Sequence, residues 1–294
     1  MIDAIPAPYK TPLTGYTRLI GLLGDPARHS VSPIMHNTAF HHLGLDYVYL
    51  VFVVNEQNLA ESVRAMRTLD AAGFNLTMPN KHEVVPLLDE LSPEARLIGA
   101  VNTVKHVDGR LIGYNTDGMG FVLSLEEKGI HVRGKKFVLL GAGGAGKSIA
   151  IQLALDGADE LVIFNRRPEP AEALCSLIHQ EVPRCTVSSH PLTDDSLKKE
   201  LSTADVLVNT TSVGMGRMEG QSLIQNPAFF HENLFIADVI YSPKKTRLLE
   251  LGEAAGCKTV NGMGMIIGQG ALGFRIWTGH EMPLEPVKKA LGCP

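Results

Sequence analysis

Short apolar runs alternate with longer stretches of helical period along most of the chain. RLIGLLG (18–24), YVYLVFVV (47–54), FNLT (74–77), VNTVKHV (101–107), KFVLLG (136–141), ELVIFN (160–165), ADVLVNT (204–210) and LFIADVI (234–240) are rich in Val, Ile and Leu and predict strands. Between them 33–43, 56–70, 118–128, 144–156 and 169–181 predict helices. Strand then helix then strand predicts α/β architecture with mostly parallel sheets, because parallel neighbours need a crossover. Ser32-Pro33 and Ser242-Pro243 each read as an N-cap followed by proline at the first helical position. Asn80 to Glu83 fits a variant capping box, and Asp108-Gly109 marks a hairpin turn between VNTVKHV and RLIGY.

The alternation breaks twice, near Thr116 to Gly118 and near Asn261 to Gly264. After the second break only two helical stretches remain, 262–278 and 284–291. The expected organisation is a first domain over 1–117, completed by 262–294, and a second over 118–261, with a ligand cleft between two lobes. The opening residues lack an apolar signal core and read as a loose lead-in.

Hydrophobic residues make up 45% and charged residues 20% of the 294, enough apolar material for two cores. A net charge of -4 leaves no basic excess for nucleic acid or an acidic membrane, and no stretch approaches a membrane span. Cys175, Cys185, Cys257 and Cys293 form no CxxC pair and no zinc spacing, so they read as reduced thiols of a cytoplasmic protein with no metal site.

The strongest local motif is VLLGAGGAGKS (138–148). Gly141, Gly143 and Gly146 satisfy G-x-G-x-x-G between a strand and a helix, the context a dinucleotide pyrophosphate requires. The same residues also satisfy the nucleoside triphosphate P-loop, with Lys147 for phosphate, Ser148 for magnesium and Asp238 as a weak second carboxylate. Crowded small residues and the following Asn165-Arg166-Arg167 rank the dinucleotide ahead. The two arginines suit a 2′-phosphate, or Arg166 suits stacking on adenine, while Glu169 offers a ribose contact. A P-loop NTPase or kinase and a non-catalytic NAD(P)-binding sensor stay as alternatives.

Three polar clusters sit beside apolar strands. Ser30 and Ser32 lie at a helix start, where free N–H groups favour a carboxylate. Asn75 and Thr77 share one side of a strand, and Lys81 follows at an expected helix start whose field would suit proton transfer. Asn102 lies on a nearby strand, and Asp117 either caps the next helix or partners a catalytic lysine. Together these groups suit a small polyol acid.

HSVSP, NLTMPNK, GAVNTV, GYNTDG, VLLGAGGAGKS, FNRR, VNTTSVGM, DVIYSP and NGMGMIIGQGALGF occur in the order and spacing of the shikimate dehydrogenase family. Over roughly 18–290 the chain resembles that family, and MPNK and NRR resemble its quinate/shikimate branch. The resemblance implies an α/β substrate domain, a Rossmann-type doubly wound parallel domain, and C-terminal helices returning to the first. It implies reversible NAD(P)-dependent oxidation of shikimate to 3-dehydroshikimate or of quinate to 3-dehydroquinate, in aromatic amino acid biosynthesis or quinate use. Carried over, Lys81 and Asp117 form the catalytic pair, and Ser30 and Ser32 take the substrate carboxylate. Thr77, Asn102 and Gln269 take ring hydroxyls, with Tyr49 near the substrate and Tyr241 near the site. Ala142, Gly143, Gly144 and Ala145 form the pyrophosphate turn, and Asn165, Arg166, Arg167 and Pro168 the adenosine contact. Ser212, Val239, Ile240, Tyr241, Ser242 and Gly262 fall on the nicotinamide side. The cofactor is NAD or NADP with a tilt to NAD, although Pro168 stands where some quinate/shikimate members carry an acid, and the assembly implied is a homodimer.

Overall fold

The structure is a computed structural model that describes residues 13–293. The lead-in expected over 1–12 lies outside the described residues. The chain divides into two compact units, one running to Thr116 and resuming at Gly270, the other spanning Asp117–Gln269.

The first unit holds β1 (Arg18–Gly24), α1 (Ser32–Leu43), β2 (Tyr47–Val53), α2 (Leu59–Thr68), β3 (Gly73–Leu76), β4 (Glu90–Leu91), α3 (Pro93–Ile98), β5 (Thr103–Val107) and β6 (Arg110–Tyr114). Its sheet has the order β2-β1-β3-β5-β6-β4. β1 runs parallel to β2 and β3, whereas β5 runs antiparallel to both β3 and β6. Alternation along β1 explains its unbroken apolar run. Ile20 and Leu22 pack with Met35, Phe40, Phe274 and Trp277, while Leu19 and Leu23 pack with Leu59, Val63 and Phe74 on the other face. The β5–β6 hairpin closes on Asp108 (φ 50°) and Gly109 (φ 78°), the two left-handed residues a tight hairpin needs.

The second unit holds α4 (Asp117–Glu126), β7 (Lys136–Leu140), α5 (Gly144–Leu155), β8 (Glu160–Asn165), α6 (Pro168–Glu181), β9 (Thr186–Pro191), α7 (Asp194–Leu201), β10 (Val206–Asn209), β11 (Phe235–Asp238), α8 (Arg247–Ala254) and β12 (Lys258–Val260). Its sheet is parallel throughout, in the order β9-β8-β7-β10-β11-β12. That is the doubly wound dinucleotide order, with the reversal between β7 and β10. Val138, Leu140, Val162, Phe164, Leu207 and Ile236 bury one face of it against Leu197, Leu201, Leu248 and Leu249. The last helices are α9 (Met263–Thr278), inside which the division between units falls, and α10 (Leu284–Ala290).

Three expected helix starts differ. α1 has Val31 at its N-cap with no side-chain bond, and Ser32 is already helical. Asn80 to Glu83 form turns leading into a 3-10 turn at Val85–Leu87; the Asn80 amide donates to the Val54 carbonyl (2.8 Å) instead of capping, and Pro86 removes a donor. No α-helix therefore starts at Lys81, and the helix-end field expected there is absent. Ser242-Pro243 is a cis bend, and Thr246 caps α8 by accepting from Leu249 N–H.

Candidate active site

In the first unit hydroxyls and amides gather at α1, β2, β3 and the start of β5. Ser30 Oγ donates to Ser32 Oγ (3.0 Å), and Ser32 is a polar neighbour of the Tyr49 hydroxyl. The Tyr49 hydroxyl donates to Asn75 Oδ1 (2.7 Å). Asn75 Nδ2 in turn donates to Asn102 O (2.9 Å) and Thr103 Oγ1 (3.0 Å). Asn102 Oδ1 accepts from Thr103 Oγ1 (3.0 Å) and Thr116 N–H (2.9 Å), and its Nδ2 donates to Thr116 Oγ1 (2.9 Å). Asn75, Asn102, Thr103 and Thr116 are buried, while Ser30 and Ser32 stay partly exposed. Burial in this network pushes the Tyr49 phenol far above its ordinary range, so it acts as a neutral donor.

His36 lies against the same tyrosine, with ring centroids 4.6 Å apart, and neither of its buried ring nitrogens has a hydrogen-bond partner. Burial pushes it down to about 3, so the imidazole is neutral. Thr77 packs its methyl on Gly24 just past β3 and keeps partial exposure. Lys81 is partly buried in the turns after β3, and its carbonyl accepts from Val101 N–H (2.8 Å). Thus Ser30 and Ser32 bond each other beside Tyr49, and Tyr49 joins Asn102 through Asn75. Asn75, Thr103 and Thr116 complete the cluster; the sequence reading noted Asn75 and assigned no role to the other two, although a polar residue inside GFNL is itself a signal.

In the second unit Asp117 opens α4 and is buried. Gly120, one turn on, lies where a Cβ would meet the Gln269 backbone at 2.5 Å, so α4 and the first part of α9 approach at backbone distance. That packing fixes Gln269 relative to Asp117. Gln269 also donates from Nε2 to Ile266 O (3.0 Å).

The glycine turn follows β7. Gly141 has φ 110°, and a Cβ on Gly146 would collide with the Gly141 carbonyl and come 2.7 Å from Thr210 Oγ1. A Cβ on Gly143 would meet nothing within 4 Å. The turn is therefore packed tightly beneath and open above, the shape that admits a pyrophosphate onto the start of α5. Asn165 Oδ1 accepts from Ala142 N–H (3.2 Å) and its Nδ2 donates to Arg167 O (2.8 Å), which leads Arg166, Arg167 and Pro168 out to solvent; Gly144 is exposed and Ala145 half-buried. The P-loop alternative fails on its own residues. The Ser148 hydroxyl is buried and donates to Gly144 O (3.0 Å). Asp238 is 1% exposed and accepts three hydrogen bonds. Lys147 is half-buried, and burial lowers its pKa.

Beyond β10 and β11, Ser212 is exposed, Val239 and Tyr241 are partly exposed, Ile240 is buried and Ser242 is exposed. Gly262 N–H donates to Ile240 O (2.9 Å), and a Cβ there would collide with the Val239 carbonyl. Among the described residues, no helix is long and apolar enough to cross a membrane.

Three family models match in chain order: the shikimate dehydrogenase substrate binding domain over 22–104, shikimate / quinate 5-dehydrogenase over 124–241, and the shikimate 5'-dehydrogenase C-terminal domain over 262–291. Shikimate dehydrogenase (NADP(+)) of Alkaliphilus metalliredigens (strain QYMF) is 57% identical over 279 residues, covering 95% of this chain and 98% of the relative. The crystal structure of shikimate 5-dehydrogenase from Listeria monocytogenes in complex with shikimate and NAD has a TM-score of 0.93 at 45% identity, covering 96% of this chain and 98% of that one. Quinate dehydrogenase from Corynebacterium glutamicum in complex with NAD follows at TM-score 0.86 and 31% identity, covering 94% and 98%. Both cofactors occur among these relatives, so the tilt to NAD gains no support. With its parallel dinucleotide sheet, its polar network and these matches along its length, the chain belongs to the shikimate dehydrogenase family of NAD(P)-dependent oxidoreductases that act on a CH–OH group.

Proposed function

We propose that this protein interconverts shikimate and 3-dehydroshikimate with NADP(H). The observation that carries the reading is the polar group in which Ser30 and Ser32 bond each other and neighbour Tyr49, whose hydroxyl bonds Asn75 and through it Asn102 and Thr116. It sets hydroxyls and amides in a row within the unit matched by the substrate binding domain. Ser30 and Ser32 bind the carboxylate, and Asn102, Thr77 and Gln269 bind ring hydroxyls. Lys81 takes the proton from the reacting hydroxyl in the oxidation direction and returns it in reduction, with the Asp117 carboxylate orienting both groups. The nicotinamide, when bound, accepts or gives the hydride.

The open space above Gly143 and the exposed ends of Ala142–Ala145 fit a pyrophosphate. At the adenosine end Asn165 is committed to Ala142 and Arg167, so it does not serve the ribose diol as an acid would, and Pro168 supplies no carboxylate. The exposed Arg166 and Arg167 guanidiniums suit a 2′-phosphate, which favours NADP. Quinate is the second substrate to weigh, since a quinate dehydrogenase shares this architecture.

The test is a kinetic matrix of both acids against both cofactors, read as kcat/KM. Shikimate with NADP+ is expected to lead; binding of cofactor with no turnover of either acid would mean a sensor instead. Lys81→Ala is expected to lower kcat by about 10²–10⁴-fold while NADP+ still binds. An unchanged kcat removes Lys81 from proton transfer.

A further inference from the structure

The parallel sheet of the second unit carries one buried carboxylate that neither the pyrophosphate turn nor the proton transfer uses. Asp238 and Asn209 are register partners at the last residues of β11 and β10. They are 1% and 2% exposed, and Asn209 Nδ2 donates to Asp238 Oδ1 (3.1 Å). From this pair the chain leaves in two directions, and both departures are tied back to it. Asp238 Oδ1 accepts from Ile240 N–H (3.0 Å) and Oδ2 from the Thr246 hydroxyl (2.7 Å). Asn209 Oδ1 accepts from Thr211 N–H (3.1 Å) and the Thr211 hydroxyl (2.7 Å), and Nδ2 also reaches Val213 O (3.2 Å). One amide and one carboxylate thus hold segments 210–213 and 239–246 in fixed register. The three donors to Asp238 are neutral, and burial outweighs them in raising its pKa.

The place of this pair in the sheet says what the two segments face. The adenosine half of a dinucleotide lies at the end of the strand after the glycine turn, here β8, and the pyrophosphate lies over β7. The sheet order β8-β7-β10-β11 leaves the ends of β10 and β11 for the other half of the molecule. Thr210 links the two regions, because its hydroxyl donates to the Leu140 and Gly141 carbonyls at 2.9 and 3.0 Å.

We propose that Asn209 and Asp238 are positioning residues that set segments 210–213 and 239–246 to receive the nicotinamide half of the cofactor. This rests on the dinucleotide-dependent reading above. Neither residue touches the cofactor in it; each acts through the backbone it holds, and Ser212, Val239 and Ile240 are the groups so placed.

The experiment compares two ligands by calorimetry on the full chain: NADP+ and 2′-phospho-ADP-ribose, the same molecule without nicotinamide. Asp238→Ala removes both acceptor oxygens, so the Ile240, Thr246 and Asn209 bonds are all lost. NADP+ affinity is expected to fall about fivefold or more, while the nicotinamide-free ligand binds as to the parent chain. Thr246→Val removes one bond from the far end and is expected to act in the same direction, which keeps the test open should Asp238→Ala not fold. Equal weakening of both ligands, or of neither, overturns the proposal. A parent chain that binds NADP+ but oxidises no shikimate fails the functional reading and leaves this comparison readable.

Discussion

The two units present their candidate ligand groups in different material. In the first they are side chains: hydroxyls and amides at α1, β2, β3 and β5, hydrogen-bonded in two groups. In the second they are main chain: a glycine turn, exposed at Gly143 and packed at Gly146, and two loops fixed by buried polar anchors. A polyol acid presents hydroxyls in a particular arrangement, which side-chain donors and acceptors can discriminate. A pyrophosphate presents diffuse negative charge, which backbone N–H groups at a helix start satisfy whatever the side chains. The contrast teaches that substitutions should act differently in the two units, through partner loss in one and through collision in the other.

The largest expected effect tests the main-chain side. Gly146→Ala puts a methyl into the Gly141 carbonyl and against Thr210 Oγ1, contacts with no flexible side-chain end to yield. A loss of about 3 kcal/mol in stability is expected by urea denaturation, with cofactor binding lost as α5 moves off β7. Gly143→Ala meets nothing in the protein, so stability should hold while NADP+ affinity drops. If Gly143→Ala binds NADP+ as tightly as the parent, the open side of this turn does not carry the pyrophosphate.

The same contrast explains what was legible in the sequence. Glycine spacing after KFVLLG reports directly on backbone geometry, so the turn could be read at once, as could the doubly wound class from strand–helix alternation. The Asp108-Gly109 hairpin was legible for the same reason. The polar network was only half legible. Periodicity places Asn75 inside, but nothing in NLT says that its amide meets Tyr49 from β2 and Thr103 from β5, since those partners lie 26 and 28 residues away. Asp238 was misleading for the same reason. A carboxylate ending a strand is compatible with magnesium or with three buried donors, and only the fold decides between them. The expected caps at Ser32, Asn80 and Ser242 failed because each residue had a tertiary or turn role that outweighed local propensity.

A smaller effect sharpens the side-chain half through pH. His36 is neutral in the fold, held down to about 3, against 6.5 for an ordinary histidine. Between those values the unfolded chain takes up a proton that the native imidazole refuses. Its contribution to stability is therefore intact above pH 6.5 and is lost as pH falls toward 3, at about 1.4 kcal/mol per pH unit. From pH 7 to pH 5 the parent should lose about 2 kcal/mol more than His36→Phe, measured by urea denaturation. Parallel curves for the two proteins would show that the aromatic surround of His36 opens to water in solution.

The smallest expected effect is the one most specific to the polar network. Tyr49→Phe keeps the ring against His36 and deletes only the hydroxyl that bonds Asn75 and neighbours Ser32. Asn75 Oδ1 then loses its donor in a buried setting, at a cost of about 1 kcal/mol or somewhat more. If the network places Ser32 for the substrate carboxylate, KM for shikimate should rise about fivefold, with kcat and KM for NADP+ unchanged. A fall in stability alone, with KM for shikimate unmoved, would reduce the Tyr49 hydroxyl to internal bonding. A parallel rise in both KM values would instead erase the distinction between the two halves, because a side-chain deletion in the first unit would then be felt at the main-chain site of the second.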